Sequence, residues 1–174
     1  MSPRLLEKLS AAPPRGRFLD GPEPRSYEAV HERCAQIRTL VAEAGLAPSD
    51  RVLVSTSQDT WLFDLFVAGL TGAFVPMVVS PEEPDRRRQE LAQRAEVKAA
   101  FLDPAMEAPA FVEGARTWRV PGAKPRTLLS RLLGRSESAG ANDLLACTQG
   151  LSGSAPRPPV AQAEAYILCS SGST

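Results

Sequence analysis

Five consecutive residues carry the side chains best suited to chemistry: Ser170, Ser171, Gly172, Ser173 and Thr174. Hydroxyls, together with backbone amides that a glycine leaves unobstructed, can converge on phosphate oxygens. Such a segment would position a polyphosphate by hydrogen bonding. The same pentapeptide also fits a flexible Ser/Gly tail. Other candidates are poorer. His31 is the single histidine, so a Ser-His-Asp triad would have to use it, and nothing in the spacing brings it to a nucleophile. Its place off the apolar stripe of its helix predicts a solvated residue. Cys34 falls on that stripe and Cys169 in a strand, so both read as small core residues. The segment 150–154 lacks the GxSxG spacing of a nucleophile elbow. Neither GxGxxG nor GxxxxGK[ST] occurs, which excludes dinucleotide-fingerprint and Walker-type phosphate sites.

The elements that must position the five residues follow from periodicity. Ser26 offers an N-cap hydroxyl. Tyr27, Val30, Cys34, Ile37, Val41 and Ala44 then recur at intervals of three and four, the signature of one buried helical stripe. Gly45 supplies the stop. Arg51-Val52-Leu53-Val54-Ser55 reads as a strand. A helix over 60–71, apolar over much of its circumference and capped by Ser57 or Asp59, should be buried on more than one side. A strand over 73–79 follows. Its Pro76 cannot donate to a ladder, which argues for an edge, a strand end or a bulge. A charged helix over 85–95 turns Leu91 and Ala95 inward, and its Asp85-Arg86-Arg87-Arg88 start reads as solvated. A strand over 97–102 closes the series.

Strand, helix, strand, helix, strand with short connections predicts parallel strands and right-handed crossovers. The fold class is therefore α/β, a parallel βαβαβ unit with flanking helices and long irregular segments. Residues 1–25 form an irregular lead-in with one helical turn at 5–9. Residues 103–160 are rich in Pro, Ala, Gly and Ser, with a short helix at 127–133 and loops at 136–142 and 151–159. A strand over 164–169 then delivers the chain to Ser170.

Composition narrows the class. Lys plus Arg and Asp plus Glu both number 20 among 174 residues. That balance gives no long-range attraction to nucleic acid or anionic lipid. Three scattered cysteines form no zinc pattern or disulfide framework. They point to a reducing, cytoplasmic setting. No membrane span is expected, because the apolar stretch from 61 to 79 is broken by Asp64.

Two blocks resemble the AMP-forming synthetases and ligases, the acyl-CoA synthetase and adenylation-domain family. One is Ala165-Tyr166-Ile167-Leu168-Cys169-Ser170-Ser171-Gly172-Ser173-Thr174, similar to the start of the family's phosphate loop, Thr-Ser-Gly-Ser-Thr-Gly-x-Pro-Lys. Here Ser170 stands where the first Thr is usual, and Gly-x-Pro-Lys is absent. The other runs from Ser26-Tyr27 through Gly45 and Asp50-Arg51-Val52 to Ala68-Gly69-Leu70-Thr71-Gly72-Ala73-Phe74-Val75-Pro76. It departs from the pattern at Ser49, where Gly is usual. The likeness spans 26–103 and 163–174.

The resemblance implies an incomplete AMP-binding domain over 26–174, truncated within the phosphate loop. It implies that Ser170, Ser171, Gly172, Ser173 and Thr174 hold the β- and γ-phosphates of ATP. No catalytic residue and no metal ligand is implied within these positions. The complete enzyme would use ATP and Mg2+ to activate a carboxylic acid. The resulting acyl-adenylate would pass its acyl group to coenzyme A or a carrier-protein thiol. The remaining machinery lies after this loop in the family. The chain alone is therefore expected to be inactive and to bind neither ATP nor Mg2+ tightly, unless a complementing C-terminal polypeptide supplies the rest. The alternative is a non-catalytic α/β binding or scaffold module.

Overall fold

The structure, a computed structural model, describes residues 17–19, 25–108, 116–122, 142–152 and 166–169. The expected helical turn at 5–9 and helix at 127–133 lie outside them. A short hairpin of β1 (Arg17–Leu19) and antiparallel β2 (Arg25–Ser26) comes first, where an irregular lead-in was expected. Ser26 then caps α1 (Tyr27–Glu43), its Oγ accepting from Ala29 N at 3.1 Å, and Gly45 adopts φ +81° just past the helix. The stripe read from spacing is the buried one: Val30, Cys34, Ile37 and Val41 are all in the core.

Five strands form one parallel sheet: β3 (Arg51–Ser55), β4 (Val75–Val78), β5 (Ala99–Leu102), β6 (Arg116–Arg119) and β7 (Ile167–Leu168), in the order β6-β5-β3-β4-β7. Helix α2 (Asp59–Leu70) joins β3 to β4, and α3 (Asp85–Arg94) carries the chain across β3 to β5. Strand side chains alternate between the two faces, so each face has its own core. Val52, Val54, Ala99, Phe101 and Trp118 pack with α1, with Leu65 and Ala68 of α2, and with Leu144 of α4 (Leu144–Thr148). Leu53, Met77, Ala100 and Leu102 pack with Ala92 of α3. The βαβαβ reading of 51–102 thus holds, and the sheet extends beyond it at both sides.

Some local expectations are corrected. Ser57 does not cap α2; the N-cap position is Gln58, with no side-chain bond. The hydroxyl of Ser57 donates instead to Asp103, at 2.8 Å. On α2 only Asp64, Leu65, Ala68 and Gly69 are buried, while Trp61, Leu62, Phe66 and Val67 are half-buried. On α3, Arg88 is buried rather than solvated; it pairs with Asp85 and donates to the Glu83 carbonyl at 3.0 Å. Arg86 and Arg87 do face solvent, paired with Glu90. Within 103–160, β6 and α4 are regular elements where irregular chain was expected.

Pro76 sits neither at the sheet edge nor in a bulge. Val75 N and Val79 N donate to Asp50 O and Val54 O of the β3 segment. By alternation the nitrogen of Pro76 faces the other neighbour, β7, whose pairing begins only at Met77↔Ile167. The missing donor therefore falls just before the ladder starts. The proline ring fits a notch in α2. A Cβ at Gly69 would lie 2.6 Å from Pro76 Cδ, 2.8 Å from its Cγ and 3.2 Å from Phe74 O. Ala at 69 would gain up to ~1 kcal/mol in helix propensity, but it would press a rigid ring and a backbone carbonyl. Gly69→Ala is therefore expected to destabilise by a net ~1–2 kcal/mol, read as a lowered midpoint in urea denaturation.

Candidate functional site

Ser170, Ser171, Gly172, Ser173 and Thr174 lie outside the described residues. What the structure does describe is the strand that leads to them. β7 runs parallel to β4, with Met77↔Ile167 and Val78↔Leu168 in register. Cys169 N donates to Val78 O at 3.2 Å. The chain therefore leaves β7 at the carboxyl end of the sheet, beside the exit of β4. This end carries the topological switch. The helix after β3 packs on one face and the helix after β4 on the other. Open α/β sheets bind ligands outside the carboxyl strand ends at such a switch point.

The other strand ends are tied together there by a polar network that the sequence did not reveal. Asp103, which follows β5, accepts from Thr56 Oγ1 at 2.5 Å, Ser57 N at 2.8 Å and Ser57 Oγ at 2.8 Å. Thr56 Oγ1 in turn accepts from Gln58 N at 3.1 Å. The guanidinium of Arg119, at the end of β6, donates to Met106 O at 2.6 Å and Asp103 O at 3.2 Å. Ser55 Oγ donates to Ser80 O at 3.4 Å, which ties the ends of β3 and β4 together. Asp103 thus holds the β3 loop against the β5 loop with three donors on its carboxylate. The group is an acceptor hub engaged by three neighbouring donors, and it braces the loops after β3 and β5 against each other. Asp103→Ala leaves those donors without their partner and is expected to cost ~1–3 kcal/mol, measured by thermal or urea denaturation. Among the described residues no group of three or more His, Cys, Asp or Glu gathers to hold a metal ion. Nothing in them places a magnesium ion.

The thiols and the histidine take the following places. Burial pushes the Cys34 thiol up to about 12, with Asp64 adding to the effect, so it is an inert core group. Burial also raises Cys169, partly opposed by Arg87. His31 is not the solvated residue expected. Its Nε2 is buried and has no hydrogen-bond partner among the described residues.

A second polar cluster lies away from the strand ends. Asp64 of α2 is buried, with both carboxylate oxygens 2.8 Å from a single nitrogen, Nη1 of Arg25. Burial raises its pKa to about 6 against the opposing pull of Arg25 and Arg33. The guanidinium of Arg33 stands 4.3 Å over the Trp61 ring, a cation–π contact. The spacing shows Asp64 only as an interruption in an apolar run. A charge on the face that a buried helix turns inward is the signal that could have exposed it.

Comparison with known proteins bears on the whole arrangement. No protein-family profile matches the chain. Malformin synthetase mlfA of Aspergillus homomorphus is 28% identical over 82 residues, which is 47% of this chain and 2% of that protein. Solved structures match nearly the full length. The N-terminal subdomain of Klebsiella oxytoca NpsA, solved with anthranilyl-AMSN, has a TM-score of 0.67 at 17% identity, covering 99% of this chain and 38% of its own. Apo MatB from Rhodopseudomonas palustris reaches 0.75 at 19% identity, covering 98% and 33%. The O-succinylbenzoate coenzyme A synthetase MenE from Bacillus subtilis, in complex with AMP, reaches 0.69 at 9% identity, covering 99% and 40%. The chain thus spans well under half the length of each of these proteins. With its parallel sheet, two-faced core and crossover order, it has the fold of the N-terminal subdomain of adenylate-forming enzymes of the adenylation-domain and acyl-CoA synthetase type.

Proposed function

We propose that this chain forms the N-terminal subdomain of an AMP-forming acid–thiol ligase. In the complete enzyme a carboxylic acid attacks the α-phosphate of ATP, pyrophosphate leaves, and the acyl group passes to coenzyme A or a carrier-protein thiol. ATP is the substrate, and Mg2+ would supply charge neutralisation on the polyphosphate. The part played by this chain is to hold the β- and γ-phosphates through Ser170, Ser171, Gly172, Ser173 and Thr174, in a reducing, cytoplasmic setting. The observation that supports this is the parallel exit of β7 beside β4 at the carboxyl end of the sheet. A segment rich in hydroxyls and amides that issues from that point meets the place where such sheets bind ligands. On this reading the chain, which spans well under half of the solved enzymes it resembles, is inactive alone unless a complementing C-terminal polypeptide supplies the rest.

The test is acid-dependent release of pyrophosphate from ATP. It is assayed on the 174-residue protein and on a fusion to the part of a solved relative that follows the equivalent strand. No release is expected from the first. The fusion should show acid-dependent release, lowered about tenfold or more by Ser171→Ala with Thr174→Val, since each lost ~1.4 kcal/mol of transition-state binding is a factor of ten. Release by the 174 residues alone would overturn the inactivity. A folded fusion that releases nothing with any acid would favour a non-catalytic α/β binding or scaffold module.

A further inference from the structure

Parallel sheets are ordinarily covered on both faces, but at β7 part of one face is exposed. Ile167 and Cys169 turn toward the core of Leu53, Met77 and Ala92. By alternation Tyr166 and Leu168 turn to the opposite face, the one that carries α1 and α2. They are the large apolar side chains left exposed among the described residues, at 47% and 64%. Tyr166 meets Phe66 of α2 edge-on, with ring centroids 5.5 Å apart. On α2, Leu62, Phe66 and Leu70 recur every fourth residue and are each half-buried. No charge interrupts that stripe, because Asp64, the one charged residue from 60 to 73, is turned inside. The solvated faces of the other long helices differ: exposed Glu28 and Glu32 lie on α1, and exposed Arg86 and Arg87 on α3. A contiguous apolar patch of this kind marks an interaction surface. β7 is also the outermost described strand on its side of the sheet, so the patch borders an open edge.

The hand of the crossovers decides what fits there. The step from β3 to β4 moves toward β7 and lays α2 on this face, whereas the step from β4 back across β3 to β5 lays α3 on the other. Both steps follow from a single hand of connection. A further crossover in the direction of the first, from β7 to a strand beyond its open edge, therefore lays its helix on the face of Tyr166 and Leu168, beside α2. The solved N-terminal subdomain of NpsA is much larger than the part matched here, since this chain covers 38% of it. We propose that Tyr166, Leu168, Phe66 and Leu70 form the docking face for an amphipathic helix of the complementing polypeptide, the helix that leads from β7 to an added parallel strand at its open edge. That helix sets an apolar stripe against the patch and its charged residues outward. The inference rests on the reading of this chain as one part of a larger subdomain, and it needs nothing of the ATP chemistry.

The experiment follows hydrogen exchange at the Leu168 amide. Cys169 N donates to Val78 O, so by alternation the Leu168 amide points away from β4, toward the open edge. Exchange is compared between the 174-residue protein and its fusions to the parts of NpsA and of MatB that follow the equivalent strand. Protection of Leu168 should rise about tenfold or more in a fusion, while amides of β3, interior to the sheet in both, change less. Leu168→Asp should cancel the gain in the fusion yet barely shift the urea midpoint of the unfused protein, where that side chain is exposed. Arg86→Ser, on α3 at the opposite face, should leave the gain intact. Unchanged protection in both fusions, a gain that survives Leu168→Asp, or an equal drop in midpoint with and without the fusion would each overturn the docking face. So would dimers of the unfused protein that Leu168→Asp dissociates while the fusions gain no protection, because the occupant would then be a second copy. Pyrophosphate release is read separately. Protection without release leaves the docking face standing and counts against the ligase reading; release without protection does the reverse.

Discussion

Trp118→Ala should lower folding stability by about 3–5 kcal/mol, the range for removing a large aromatic side chain from a packed interior. Trp118 is 1% exposed. Its ring stacks on Phe101 with centroids 4.8 Å apart, and Phe101 in turn meets Phe74 at 5.7 Å. The pairing Phe101↔Trp118 fixes this stack within the sheet register. Strand backbones on one side and α1 on the other leave little room for collapse, so the cavity persists. Urea denaturation followed by far-UV circular dichroism reads the effect. Trp118→Phe should retain most of the stability. A loss below ~1 kcal/mol for Trp118→Ala would mean that β6 stands outside the cooperative core.

Arg25→Met should cost a comparable ~3–5 kcal/mol at pH 7.5, since it removes the one nitrogen among the described residues that serves a buried carboxylate and leaves the charge uncompensated. Arg33 is near, but its guanidinium is engaged over Trp61. At pH 5 the loss should shrink, because Asp64, raised to about 6, is then mostly neutral. The double variant Arg25→Met with Asp64→Leu should recover much of the loss, as apolar replacements of buried pairs do. Denaturation midpoints of parent, single and double variants at both pH values form the measurement. A single-variant cost under ~1 kcal/mol at pH 7.5 would show that water already reaches the pair.

How far each feature was legible follows the range of the interactions behind it. α1 was readable because its cap, its 3-4 spacing and its glycine stop are all local. Ser57 misled for the opposite reason. As a local cap it was plausible, but Asp103, 46 residues on, offers a charged acceptor for both its hydroxyl and its amide. The strand Arg116-Thr117-Trp118-Arg119 is four residues long, too short for periodicity to speak. It is a strand because β5 pairs with it and Phe101 receives its indole. Within the candidate site, the Ser/Gly/Thr composition of the phosphate segment was visible at once. The Asp103 network that braces the carboxyl end of the sheet was not, because its members come from two loops and the end of β6.

The sequence by itself determined the α/β alternation, the buried stripe of α1, and the strand that leads into Ser170, since periodicity and turn chemistry act over a few residues. Tertiary structure alone decided that β7 joins the sheet beside β4, that Pro76 seats its ring against Gly69, and that Asp64 is drawn inside to meet Arg25 from 39 residues away. Those outcomes depend on which surfaces meet when the chain closes on itself. Contacts between distant residues leave no periodic trace in the residues that make them.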